Sequence, residues 1–178
     1  MPSQTPTIFL LDSCVLIDAH KEYYAPDLCP GFWAVLDYHC AGAQAVRSID
    51  QVRGELRLGN KTDALRLWAE QPSRDSWFED SSAPDVFAAY ARVITFVQNS
   101  PQYLQGAKAQ FASGADGWLI AHALARGSTI VTHETYDQQI RKKAPIPNIC
   151  RHFNVRCITL LEMLRCLAVQ FNWAPPAP

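Results

Sequence analysis

The sequence predicts a three-layer α/β domain with a largely parallel central sheet flanked by helices. Short apolar runs end abruptly on polar residues, and segments of helical periodicity separate those runs. The composition, 48% hydrophobic and 19% charged over 178 residues, suits one core of ordinary density. Strands alternating with helices favour parallel pairing through right-handed crossovers, and such sheets bind ligands outside the carboxyl ends of their strands. The chain therefore reads as a single domain over residues 1–178, with a frayed, proline-rich tail from about residue 172.

The first strand is Ile8-Phe9-Leu10-Leu11, apolar throughout and closed by Asp12. A second, Ala45 to Ile49, gives way at Asp50, a candidate N-cap for a helix carrying Val52, Glu55 and Leu56. Helices follow from about Lys61 to Gln71 and from about Pro84 to Asn99, the latter with Ser82 as a candidate cap, Pro84 in its first turn and Ser100-Pro101 at its end. Leu119, Ile120, Ala123 and Leu124 follow Asp116 at helical spacing until Gly127 stops the helix. The β-branched run Ser128 to Thr132 is the third strand and meets His133-Glu134. Asn154 to Ile158 reads as another strand, and a final helix runs from about Leu160 to Phe171.

Sixteen Lys and Arg against seventeen Asp and Glu leave a formal charge of −1, so nucleic-acid binding must rest on a local patch. The polar start, Met1 to Thr7, and the short run after it match neither a signal peptide nor a membrane span; the expectation is a cytoplasmic protein without a membrane partner. Six cysteines without a C-x-x-C pair read as reduced, mostly buried thiols.

Four acids occupy one kind of place: Asp12 closes the first strand, Glu55 lies on the helix after the second, Asp116 opens a helix, and Glu134 follows the third strand. Brought together, they would repel one another and raise their own pKa values unless a cation offset them, and hard Mg²⁺ or Mn²⁺ prefers such oxygen ligands. Each acid also has an ordinary alternative. Asp12 and Asp116 could cap helices, Glu55 could be a solvated helical residue and Glu134 a loop charge.

With their context, Phe9 to Ile17, Ser48 to Leu56, Ala115 to Ala121 and Ile130 to Glu134, these acids give a chain that resembles the PIN-domain nucleases, specifically a PIN-like family long of unknown function. The resemblance spans most of the chain. It implies a metal-dependent endoribonuclease, often the toxin of a bacterial toxin–antitoxin pair, that hydrolyses RNA phosphodiesters by metal-activated water. It further implies Asp12, Glu55, Asp116 and Glu134 as ligands of Mg²⁺ or Mn²⁺, an RNA substrate and a cognate antitoxin; a homodimer is compatible with it. The sequence departs from the family where Cys14 replaces the usual Asn or Ser and where Glu134 stands for the commoner Asp. Ser13 and Thr132 are candidates to hydrogen-bond and orient the acids.

The aromatic segment Tyr23 to Trp33 either packs a long connection onto the core or offers rings to bases or a partner. Arg141, Lys142, Lys143, Arg151, His152 and Arg156 could form a phosphate-binding edge, and His133 is the histidine nearest the acids in sequence. Two other readings stay open. One is a catalytically silent PIN-like module that binds RNA or protein. The other is a haloacid-dehalogenase-like phosphatase with Asp12 as nucleophile, which Cys14 disfavours because those enzymes usually carry a second Asp there.

Overall fold

The computed structural model describes residues 7–172. Its five short strands are β1 (Phe9–Leu11), β2 (Val46–Ile49), β3 (Phe78–Glu79), β4 (Thr129–Val131) and β5 (Cys157–Ile158). They lie in the order β3-β2-β1-β4-β5, and each of these pairings is parallel. Phe9 stands opposite Val46 on one side and Thr129 on the other, so β1 is central.

Successive side chains of a strand point to opposite faces. Phe9, Leu11 and Val131 enter one apolar cluster, and Leu10 and Ile130 enter another. The first is completed by α1 (Ser13–Asp18), α2 (Pro30–Asp37) and α9 (Leu160–Cys166) through Leu16, Phe32, Leu36 and Met163. The second is completed by α5 (Pro84–Asn99), α6 (Gln105–Ser113), α7 (Asp116–Arg126) and α8 (Ile146–Phe153) through Val93, Phe111, Ile120 and Ile149. Helices thus cover both faces, and for this reason the strands read as continuous apolar runs. The predicted three-layer parallel architecture is the one observed.

Local signals set several boundaries. Pro84 opens α5, and Gly127 closes α7 at φ 70°, a conformation that glycine adopts without steric cost. Asp63 caps α4 (Ala64–Glu70), and Thr159 with Glu162 forms a capping box at α9. Both helices are shorter than the sequence suggests. Three local expectations are corrected. Asp50 is the first residue of α3 (Asp50–Leu56), not its cap, and its carboxylate accepts from Ser81 Oγ at 2.6 Å. Ser82 donates to Asp80 instead of capping α5. Asn154, at φ 55°, ends α8, which leaves β5 only two residues.

Helices α2, α6 and α8 were not anticipated; two are cut from the aromatic and basic stretches read as connections or edges. The basic cluster divides: Lys143 bonds Glu134, the Arg151 guanidinium lies over Tyr136, and His152 stacks on Phe96. All six cysteines are free thiols, but only Cys40 and Cys150 are fully buried and Cys166 is exposed. The proline-rich tail lies, from residue 173, outside the described residues. Among those described, no helix is long and apolar enough to cross a membrane.

The chain runs outward from β1 to β2 and β3, then crosses to β4 on the other side of β1. This reversal puts a crevice at the carboxyl ends of β1 and β4, where open parallel sheets hold their ligands.

Candidate active site

Asp12 follows β1 directly and is only 4% exposed. It occupies the cap position of α1 but makes no capping hydrogen bond. Its Oδ2 instead accepts from Thr132 Oγ1 and from Cys14 Sγ, each at 2.8 Å. The backbone arranges this meeting: Asp12 N–H donates to the Val131 carbonyl, so the first residue beyond β1 lies beside the first beyond β4. Burial raises the Asp12 pKa, the two donors oppose that rise, and the charges of Glu134 and Glu55 add to it.

The other acids approach through the backbone and small polar side chains. Glu55, on α3, accepts from Ser13 Oγ at 2.7 Å and from the Ala115 N–H at 2.8 Å. Ser13 Oγ also lies 3.5 Å from Asp12 Oδ1, so one hydroxyl spans the two carboxylates. The Ala115 contact brings Glu55 to the start of α7, where Asp116 stands. Arg53 secures α3 by donating to the Ala69 carbonyl at 2.8 Å and pairing with Asp75 at 2.7 Å. Glu134 accepts from the Ile146 N–H at 2.7 Å and pairs with Lys143, while its own N–H donates to Thr132 Oγ1 at 3.1 Å. Thr132 therefore touches both Asp12 and Glu134.

Asp116 is the electrostatic measure of the cluster. Burial together with the charges of Asp12, Glu134 and Glu55 pushes its pKa up to about 7, and Lys143 opposes the rise only in part. Burial disfavours the Lys143 charge, but the hydrogen bond and charge of Glu134, with the charges of Asp116 and Asp12, outweigh it and raise the lysine pKa. The next residue, Gly117, lets the start of α7 pack closely on α5 and α6: a Cβ there would stand 3.1 Å from Tyr90 and 3.2 Å from Phe111.

Ser13 and Thr132 thus link Asp12 to Glu55 and to Glu134, and Asp116 feels the charges of all three at the same sheet edge. Among the described residues, however, no three His, Cys, Asp or Glu side chains are arranged to hold a metal ion as they stand. Glu55 and Glu134 are directed at protein donors. The donor chemistry still suits a hard divalent cation: the groups are all carboxylates, their charges repel, and one lysine offsets them.

Two partners of the acids carry no sequence signal of that role. Lys143 stood out only as part of a basic run. Cys14, noted only as a departure from the family, is drawn into the centre: its thiol bonds Asp12, and the His133 N–H donates to its sulfur at 3.4 Å. Burial, then the Asp12 charge, pushes the Cys14 thiol pKa well up, so it acts as a donor and not as a thiolate.

The all-parallel sheet with helices on both faces is a PIN-like fold, and these carboxylates lie at its carboxyl edge. Residues 9–171 match the family described as a domain of unknown function, DUF4411, and the chain belongs to that family. It is also similar to a chain in the crystal structure of VapBC2 from Rickettsia felis bound to a DNA fragment from their promoter. That likeness has a TM-score of 0.52 at 14% identity and covers 86% of this chain and 98% of the other; at this identity it is a likeness of fold. No curated protein matches the chain in sequence.

Proposed function

We propose that the protein is a single-domain, metal-dependent endoribonuclease of PIN type and the toxin of a toxin–antitoxin pair. The observation that carries the proposal is the grouping of Asp12, Glu55, Asp116 and Glu134 at the carboxyl edge, where burial, joined by the charges of the other three acids, raises the Asp116 pKa to about 7. A surface evolved only for binding gains nothing evident from such a cluster. The toxin role draws support from the likeness to a VapBC2 chain, and an antitoxin partner follows from that role.

Asp12, Glu55, Asp116 and Glu134 would hold Mg²⁺ or Mn²⁺, whose chemistry when bound is to activate water and offset phosphate charge. Each carboxylate oxygen of Glu55 and Glu134 accepts from one protein donor, which leaves a lone pair on each for an ion. Thr132 and Cys14 fix the Asp12 carboxylate by donating to Oδ2, and Ser13 holds Glu55 beside it. The Lys143 ammonium, paired with Glu134 at this edge, would offer its charge to the phosphate backbone, a contact that requires no particular base.

The test is cleavage of single-stranded RNA by purified wild type and Asp12→Asn. Mg²⁺ or Mn²⁺ should support cleavage, chelator should abolish it, and Asp12→Asn should lower it at least a hundredfold while remaining folded. Induced in a bacterium, the wild type should arrest growth and the variant should not. The missing three-ligand arrangement favours a second reading, a silent RNA- or protein-binding module. RNA left intact with either metal would select it.

A further inference from the structure

Beside the acids lies a cavity of about 570 Å³, lined by Asp18, Tyr23, Tyr24, His133 and Leu161 among others. Its size is within the ~300–1,000 Å³ of small-ligand sites. The geometry points to a nucleobase subsite: this cavity takes one unstacked base of single-stranded RNA next to the phosphate held at the carboxylates. The inference rests on the nuclease reading and extends it to the part of the substrate that is bound.

Position is the first argument. His133 stands between Thr132 and Glu134 in the chain, and its N–H contacts Cys14, so one residue belongs to both the cavity wall and the acid cluster. The walls are the second. Tyr23 closes the π turn that continues α1, and its ring is 63% exposed, meeting His133 edge-on with centroids 6.0 Å apart. Its neighbour Tyr24 is used for packing, stacked on Phe32 with centroids 4.3 Å apart. A large ring left uncovered at a cavity mouth, with Leu161 also exposed, suits stacking, a contact any base can make.

Charge is the third argument. His133 Nδ1 lies 2.7 Å from Asp18 Oδ2, so the imidazole is held in one orientation and the pair presents hydrogen-bonding groups to a base edge. The lining contains a carboxylate and no Lys or Arg, so a phosphate is disfavoured there while a neutral base is not. Neither this cavity nor a larger one, about 670 Å³ between α5 and the end of α8, is lined by the four acids themselves, but this one includes His133, which lies between Thr132 and Glu134, and the larger one has no residue of that loop.

The test uses the full chain with Ca²⁺ in place of Mg²⁺ or Mn²⁺, so that the carboxylate charge is offset, and measures by fluorescence anisotropy, on RNA verified to stay intact, the binding of a labelled eight-nucleotide single-stranded RNA and of an abasic ribose-phosphate chain of equal length. Wild type should bind the base-bearing RNA about tenfold more tightly. Tyr23→Ala should remove that preference while leaving abasic binding unchanged, in line with ~1–3 kcal/mol for stacking one base on an aromatic ring. Tyr23→Phe should behave as wild type. Because Tyr23 is exposed, both variants should fold, and circular dichroism checks this. Equal binding of the two chains, or indifference of binding to Tyr23→Ala, overturns the subsite and leaves the cavity to a protein partner. Cleavage of RNA by wild type with Mn²⁺, measured separately, keeps the two readings apart: Tyr23-dependent binding without cleavage supports the subsite and sinks the nuclease, and cleavage with Tyr23-independent binding does the reverse.

Discussion

A buried carboxylate is tolerated only when donors or a cation satisfy it, and at Asp12 the donors are Thr132 and Cys14. The thiol supplies a hydrogen directed at Oδ2. Cys14→Ser should therefore keep the donor, whereas Cys14→Val keeps the approximate shape and removes it. Losing a hydrogen bond to a charged group costs ~1.5–3 kcal/mol, and Cys14→Val should lose stability in that range. Urea unfolding checks the prediction, with Cys14→Ser expected within about 1 kcal/mol of wild type. Equal losses in the two variants would assign Cys14 to packing alone.

Between elements, polar links fix the helices that carry the acids. Arg53 ties α3 to the end of α4, and on α7 the buried His122 places Nε2 3.2 Å from Glu79 Oε2 of β3. The His122 hydrogen bond lowers the Glu79 pKa against the cost of burial, and the charges of His122, Arg47 and Arg126 lower it further. A carboxylate whose folded pKa is depressed adds stability above its unfolded pKa, ordinarily near 4.5, and loses it as pH falls through the folded value. Glu79→Gln should accordingly unfold at a lower temperature than wild type at pH 7, with the gap closing as pH falls below about 4.5. Because Glu79 is one-third exposed, solvent screening limits the loss to about 1 kcal/mol. Thermal scans across pH would check both the sign and the window; a gap that widens in acid would show that the link does not act through charge.

At the scale of the whole molecule, the acids belong to both layers of helices and to the sheet between them: Asp12 precedes α1 on one face, Asp116 opens α7 on the other, and Glu134 follows β4. A cation shared by them would therefore brace the entire carboxyl edge. A ligand that binds only the folded state stabilises by mass action, about 2.7 kcal/mol at a hundredfold excess over Kd. Mn²⁺ should raise the melting temperature of wild type by several degrees and that of Asp12→Asn far less. Without metal, Asp12→Asn should melt no lower than wild type, since it relieves repulsion from Glu134 and Glu55. An equal Mn²⁺ shift in both proteins would place the ion elsewhere.

The central strands, the long helix α5, the stop of α7 at Gly127, and the places of Asp12 and Glu134 past strands and of Glu55 and Asp116 on helices were legible in the sequence. An apolar run buried on both faces and closed by an acid leaves that acid at the carboxyl edge of a parallel sheet. Strands β3 and β5, each of two residues, were legible poorly or not at all, because their state depends on pairing with β2 and β4 more than on their own composition. Helices α6 and α8 are short and bury only a few residues each, so their periodicity stays below what a window of sequence reveals. Ser13 and Thr132 stood out in the sequence as candidates to orient the acids, but which acid each partner meets was decided by tertiary structure. Thr132 meets Asp12 across 120 positions, and Ala115 offers its N–H to Glu55 across 60. The cavity between Tyr23 and His133 likewise joins the continuation of α1 to the loop after β4. Composition and spacing act along the chain, whereas these contacts depend on strand order and register, which exist only once the sheet has formed.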